Sequence, residues 1–170
     1  MVELVALDTL DERSVEALLD RAFGPARHTR TAYRIREGVA PIPELSFAAL
    51  DGGTLTGTIQ CWPVVLRHDG GGTTPLVMVG PVAVEPARQQ GGLGKQLMHA
   101  SLAAAERIGA AEALCLIGDP EYYNRFFGFT ADRTAAWRVP GPVERHRLLA
   151  RGDAVPTAAG MLAPRLRVAA

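Results

Sequence analysis

Between Gln89 and Lys95 the chain reads Gln-Gln-Gly-Gly-Leu-Gly-Lys, directly after the apolar run 76–84 and before a helical pattern that continues to Ile108. A glycine-rich turn between a buried strand and a helix points several backbone N–H groups the same way. They lie at the positive end of the helix dipole, and that arrangement holds anions, phosphate esters foremost. The other reading of the same residues is a plain strand-to-helix turn with no ligand. Two better-known glycine loops do not fit. A nucleoside-triphosphate loop needs Gly six residues before its Lys and Ser or Thr after it, where Lys95 has Gln89 and Gln96. A dinucleotide fingerprint would need a small residue at position 97 after Gly92 and Gly94, and Leu97 is too large for close helix–strand contact.

A second reactive stretch is Gly118-Asp119-Pro120-Glu121-Tyr122-Tyr123-Asn124-Arg125-Phe126-Phe127-Gly128-Phe129. Asp119 followed by Pro120 is a helix cap and first turn, and Gly128 a stop. Phe126, Phe127 and Phe129 are expected in the core. The four histidines (His28, His68, His99, His146) show no metal-ligand spacing, so no metal is implied.

These stretches need a scaffold, and the chain supplies one in order. Residues 2–7 suggest a strand. Asp8 or Thr9 is placed to cap a helix carrying Val15, Leu18, Leu19, Ala22 and Phe23 on one face, stopped by Gly24-Pro25. A short helix at 31–37 ends at Gly38, and an irregular surface loop at 39–43 follows, where a site can be lined. Residues 45–50 and 55–66 read as strands joined by the hairpin signal Asp51-Gly52-Gly53-Thr54, with Pro63 marking a bulge or unpaired edge. In the central run, Gly80-Pro81 suggests a bulge or splay in a buried strand. The helix after the loop carries Leu93, Leu97, Ala100, Ala104 and Ile108 on one stripe, leaves His99 toward solvent and is capped by Gly109. Residues 113–117 form an apolar strand that should run parallel to the central one after the crossover. The tail beyond Trp137 is proline-rich, ambiguous at 143–151, and basic through Arg145, Arg147, Arg151, Arg165 and Arg167, read as a solvated face.

Gln89-x-x-Gly92-x-Gly94 between strand and helix resembles the phosphate-binding motif of the GCN5-related N-acetyltransferases (GNAT). The segment at 118–129 resembles the Tyr-Tyr-x-Arg-Phe-Gly-Phe run of a bacterial branch of that family. Two motifs in the right order are far more specific than either alone, and the resemblance extends over about residues 2–137. One departure is that Phe126 and Phe127 both separate Arg125 from Gly128, which shifts the helix phase by about 100° and leaves both Tyr122 and Tyr123 in contention. The resemblance implies an α/β fold of α+β type: a mixed, mostly antiparallel sheet with a splayed central strand and helices on both faces, one N-acetyltransferase domain over 1–170 with a C-terminal extension from 140. It implies acetyl-coenzyme A as cosubstrate and direct transfer to a primary amine of a small molecule or protein. A backbone N–H among Val82, Ala83 and Val84 would bond the thioester oxygen. The turn residues Gln89, Gln90, Gly91, Gly92, Leu93, Gly94 and Lys95, helped by Arg88, would hold the pyrophosphate. Tyr123, or else Tyr122, would protonate the leaving thiolate, since a phenol of ordinary pKa near 10 can do so at modest cost. Asn124 would contact the pantetheine arm. Glu85 and Glu44 are the candidate proton acceptors, each also readable as an ordinary surface carboxylate. Readings of another class are a non-catalytic acyl-coenzyme A sensor and a purely structural module.

Composition sets the outer bounds. The 170 residues, 48% hydrophobic and 21% charged, suit a globular chain with a continuous core. A formal net charge of zero recommends neither nucleic acid nor a membrane surface as partner. No apolar run approaches the roughly 18 residues of a membrane span, and the start Met-Val-Glu lacks an export signal. Cys61 and Cys115 fall in strand-like stretches and read as reduced, buried thiols, in keeping with a cytoplasmic chain. The final strand leaves a homodimer open.

Overall fold

The computed structural model describes residues 1–166; Arg167 of the basic tail lies outside the described residues. Strand β1 (Val2–Ala6) pairs antiparallel with β2 (Phe47–Asp51), and β2 with β3 (Thr54–His68). Gly52 and Gly53 take φ of 58° and 84°, the left-handed pair that lets a two-residue turn follow the twist of a hairpin. Strand β4 (Thr73–Val84) runs parallel to β5 (Leu114–Ile117), in register at Val77–Leu114 and Met78–Cys115. β6 (Trp137–Arg138) lies parallel to β8 (Gly160–Pro164), and β7 (Leu148–Arg151) antiparallel to β5. The strand order is β1-β2-β3-β4-β5-β7, with β8 beside β3. Antiparallel pairs dominate, and the one expected parallel crossover is present. Pro63 sits where β3 changes partner, between the last β2 pair at Ile59 and the first β8 pair at Val64. Its carbonyl accepts from Arg165 N at 3.2 Å just beyond the last β8 pair, so the missing N–H forfeits only one bond at the end of that ladder.

The residues gather into two compact units: 1–29 with 41–61 and 80–108, and 30–40 with 62–79 and the described part of 109–170. In the first, helix α1 (Glu12–Phe23) buries Val15, Leu18 and Leu19 against Leu7, Ala48 and Ala83. Its cap is Asp11, whose carboxylate accepts from Arg13 N at 3.1 Å; the expected caps Asp8 and Thr9 belong instead to a 3-10 turn, Leu7–Thr9. The segment expected to be strand from residue 45 first makes a 3-10 turn, Pro43–Leu45. Hydroxyls pin it there: Ser101 donates to Leu45 O (2.7 Å), Ser46 donates to Ile42 O (2.9 Å) and accepts from Cys61 N (3.1 Å). Helix α3 (Leu93–Arg107) buries Leu93, Leu97 and Ala104 as expected, but also Met98, Ser101, Leu102 and Ala105. Its buried face is therefore wider than one stripe, and it ends early: Ile108 is 51% exposed because the helix stops there. His99 is exposed.

The second unit is built around Trp137, fully buried with its Nε1–H donated to Pro156 O at 3.1 Å. Trp62, Val64 and Leu66 of β3, Leu76 and Met78 of β4, and Ile35 pack on it; truncating such a ring to alanine typically costs about 3–5 kcal/mol. Helix α2 (Thr31–Ile35) is shorter than expected: the backbone leaves helical geometry at Arg36 (φ −111°, ψ 16°), whose guanidinium lies 3.9 Å from the ring centres of both Tyr33 and Trp62. Helix α4 spans Pro120–Phe127. The ambiguous tail resolves into a 3-10 turn, Arg145–Arg147, followed by β7. Its cations are not simply a solvated face: Arg145 donates to the carbonyls of Trp137, Thr134 and Ala135.

Candidate functional site

The candidate phosphate-binding residues follow the point where the β4 register with β5 ends, after Met78; a cis bond joins Gly80 to Pro81 two residues on. Beyond it Ala83 is buried, while Val82 and Val84 are half-buried. A 3-10 turn, Pro86–Arg88, then leads into the glycines. Gln89 donates its side-chain amide to Val84 O (3.4 Å), and Gly91 N donates to Arg88 O (3.4 Å), so both tighten the turn. Gly92 takes φ +76° and delivers the chain to Leu93, the first helical residue. No side chain caps this helix. The first N–H groups of any helix lack intrahelical acceptors; here they begin with buried Leu93 and half-buried Gly94, at the positive end of the helix dipole. A Cβ on Gly94 would lie 3.8 Å from Val82 Cγ1 and 3.9 Å from Val84 Cγ2, ordinary contact distances. The protein itself thus has room for a methyl there. A cleft of about 330 Å³ opens beside the turn, walled by Gln90, Gly91, Leu93 and Gln96 with Val2, Thr56, Ala87 and Arg88. Arg88 is paired with Asp51, whose carboxyl it holds below its usual range together with the N-terminal ammonium.

Of the two candidate proton acceptors, Glu85 is gripped by Arg21 through Nε (3.1 Å) and Nη2 (2.9 Å). Glu44 is exposed on the 3-10 turn.

The other candidate residues are on helix α4, in the second unit. Asp119 caps it, accepting from Glu121 N at 3.0 Å, and Gly128 ends it in the left-handed conformation. Phe127 and Phe129 are buried, but Phe126 is 40% exposed, contrary to expectation. The extra residue before Gly128 is the reason. Tyr123 and Phe127, four apart, share one helical face, so Phe126 is left on the next face with Tyr122, ring centres 5.3 Å apart. The Tyr123 ring lies against Gly118, where a Cβ would fall 2.8 Å from its Cδ2 and closer still to Cε2. Tyr122 meets Tyr123 edge-on at 4.9 Å. Burial pushes the Tyr123 hydroxyl above its ordinary pKa, with Tyr122 and Asp119 acting in the same direction and the positive charge of Arg147 against it. Burial also raises Tyr122. Arg147 is tied to the Tyr123 seat by its carbonyl, which accepts from Gly118 N at 3.0 Å. Asn124 donates its amide to Phe129 O (3.3 Å), fastening the chain beyond the helix. Sequence reasoning missed Gly118, Arg147 and two polar residues inside β3, Thr58 and Gln60. The readable signal for the last two was polar residues alternating through an otherwise apolar strand.

Among the described residues, no helix is long and apolar enough to cross a membrane. A family model described as "Acetyltransferase (GNAT) domain" matches residues 6–131. The chain is 29% identical over 134 residues to the Escherichia coli protein "Uncharacterized N-acetyltransferase YhbS", covering 78% of this chain and 77% of that one. Among solved structures, a GNAT acetyltransferase from Brucella melitensis in complex with acetyl-CoA is 25% identical with TM-score 0.66, covering 96% and 95% of the two chains. The Escherichia coli YhbS structure in complex with CoA shares the fold with TM-score 0.71 at 24% identity, covering 97% and 89%. With the family model matching residues 6–131, well over half of its length, the chain belongs to the GNAT acetyltransferase family.

Proposed function

We propose that the protein transfers an acetyl group from acetyl-coenzyme A directly to a primary amine of a small molecule or protein. The observation that carries this reading is the uncapped start of α3 behind Gly92, next to the end of β4. In this reading the backbone N–H groups from Gln90 to Lys95 take the pyrophosphate oxygens, assisted by the Lys95 charge. Arg88 contributes less, because Asp51 already holds it. A backbone N–H among Val82, Ala83 and Val84 bonds the carbonyl oxygen as negative charge develops.

The amine nitrogen attacks the thioester carbon, a C–N bond forms, the C–S bond breaks, and the thiolate takes a proton. Tyr123 donates that proton. Burial raises both phenols, so each is protonated at neutral pH; the seating of its ring on Gly118 favours Tyr123 over Tyr122. The surplus proton of the amine leaves to water, because Glu85 is engaged by Arg21. With its carboxamide bound to Phe129 O, Asn124 is the weakest of the expected contacts. The two buried thiols suit a cytoplasmic setting.

Calorimetry with acetyl-coenzyme A tests the reading before any amine is known. Saturable binding is expected in the wild type, with loss of binding in Gly92→Glu, where a carboxylate would repel the phosphates. Retained affinity in a folded Gly92→Glu protein would overturn the loop assignment.

A further inference from the structure

Buried hydroxyls elsewhere in the chain have partners: Thr56 donates to Ala49 O, Ser101 to Leu45 O, Thr134 to Leu148 O. Two buried side chains of β3 differ. Thr58 is fully buried and Gln60 only 5% exposed, yet among the described residues Thr58 Oγ1 and Gln60 Oε1 have no hydrogen-bond partner. A buried polar oxygen left unpaired typically costs about 1–3 kcal/mol, so two in succession on one strand suggest that something outside the chain satisfies them.

Their position says what. Thr58 is the direct register partner of Ala48, which faces the α1 side with Leu18 and Leu19. Partners across a ladder point the same way, and so does the residue two along, so Thr58 and Gln60 both face the α1 side. β3 and β4 are joined by a tight turn, closed by His68 N to Gly72 O, and are therefore antiparallel; at the other end Glu85 N donates to Thr56 O at 2.8 Å. Counting inward from that bond sets Thr58 level with Ala83 and Gln60 level with Pro81. The two orphaned oxygens thus stand beside the stretch whose N–H groups receive the acetyl carbonyl, with only short alanines flanking Thr58.

We propose that Gln60 Oε1 and Thr58 Oγ1 receive the N–H groups of the acceptor amine. This inference rests on the acetyl-transfer reading and deepens it. A carboxamide oxygen accepts hydrogen bonds only, and a hydroxyl accepts one while giving its own. The site therefore selects a group rich in donors: a primary amine, not a tertiary amine or an ether. The pair is also uncharged. A carboxylate in its place would stabilise the ammonium form and raise the amine's pKa, whereas a carboxamide orients the amine without holding it in the unreactive cationic state.

The test uses the full chain and methylammonium chloride as the smallest primary-amine probe, with tetramethylammonium chloride, which lacks N–H donors, as control. Backbone amide resonances of Ile59 and Ala83, present in the wild type and in both variants below, are followed by 1H–15N spectroscopy, with and without coenzyme A. Expected is a saturable shift with methylammonium that tetramethylammonium does not produce. Gln60→Met and Thr58→Val should each weaken that response by about tenfold, the loss of one hydrogen bond. In both variants the coenzyme A affinity should stay within about twofold and the unfolding midpoint should stay level or rise, since an unpaired buried group is removed. An equal response to both cations, no response, or a wild-type response in both variants overturns the proposal. Failure of the acetyl-transfer reading would show separately, as absent coenzyme A binding in the wild type.

Discussion

Replacing Gly94 with alanine separates what the protein needs at that position from what a ligand needs. The added methyl would meet only Val82 Cγ1 at 3.8 Å and Val84 Cγ2 at 3.9 Å, so no overpacking cost arises. Gly94 is the second residue of α3 and is not among the positive-φ glycines. Alanine there lowers the entropy lost on folding and should stabilise by about 0.5–1 kcal/mol, a rise of roughly 2–4 °C for a chain of this size. Phosphate approach is a different matter. A methyl in front of the N–H groups that face the anion displaces one charge-assisted hydrogen bond, worth about 1.5–3 kcal/mol, or roughly 10- to 150-fold in Kd. Denaturant unfolding measures the first effect and calorimetry with coenzyme A the second, on the same preparation. A Gly94→Ala protein that binds coenzyme A like the wild type would refute the reasoning, because the bare backbone would then serve nothing. So would a destabilised one.

Tyr123→Phe should keep coenzyme A affinity and lower kcat by about 10²–10³-fold on any amine found to react, while Tyr122→Phe should cost much less; the ratio of the two kcat values assigns the acid. Gly118→Ala drives a Cβ into the Tyr123 ring, so kcat should fall with coenzyme A affinity intact, together with about 1–3 kcal/mol of stability from overpacking. Burial pushes the thiols of Cys61 and Cys115 up to about 12 from 9.0. Their stability contribution is complete below the unfolded value near 9 and is lost as pH rises through about 12. Unfolding experiments should therefore show stability declining above pH 9, less steeply in Cys115→Ala. At pH 8 a thiol reagent should modify neither cysteine in the folded protein and both in denaturant.

How much of this was legible before the fold was known depends on the range of the interaction. The αL turn at Gly92, the Asp119-Pro120 start and Gly128 stop of α4, and the Gly52-Gly53 hairpin are local backbone requirements. They are met by residue types a few positions apart, so they can be read directly from the chain. The wrong α1 cap shows the limit of that reading: Asp8, Thr9 and Asp11 are all competent caps, and the intervening 3-10 turn at Leu7–Thr9 selects Asp11. Phe126 failed for a related reason, since which of two adjacent phenylalanines enters the core depends on the face Tyr123 already occupies.

The sequence alone determined the order of strands and helices as far as α4, the glycine-built turn and the aromatic helix, because hydrophobic period and backbone conformation are properties of neighbouring residues. Only the tertiary structure decided that Glu85 answers to Arg21, that Tyr123 rests on Gly118, and that Thr58 Oγ1 and Gln60 Oε1 lie buried without partners among the described residues. Those facts join residues far apart in the chain, or turn on a missing contact. Neither spacing nor composition records which distant atoms a folded chain brings within reach, or leaves out of it.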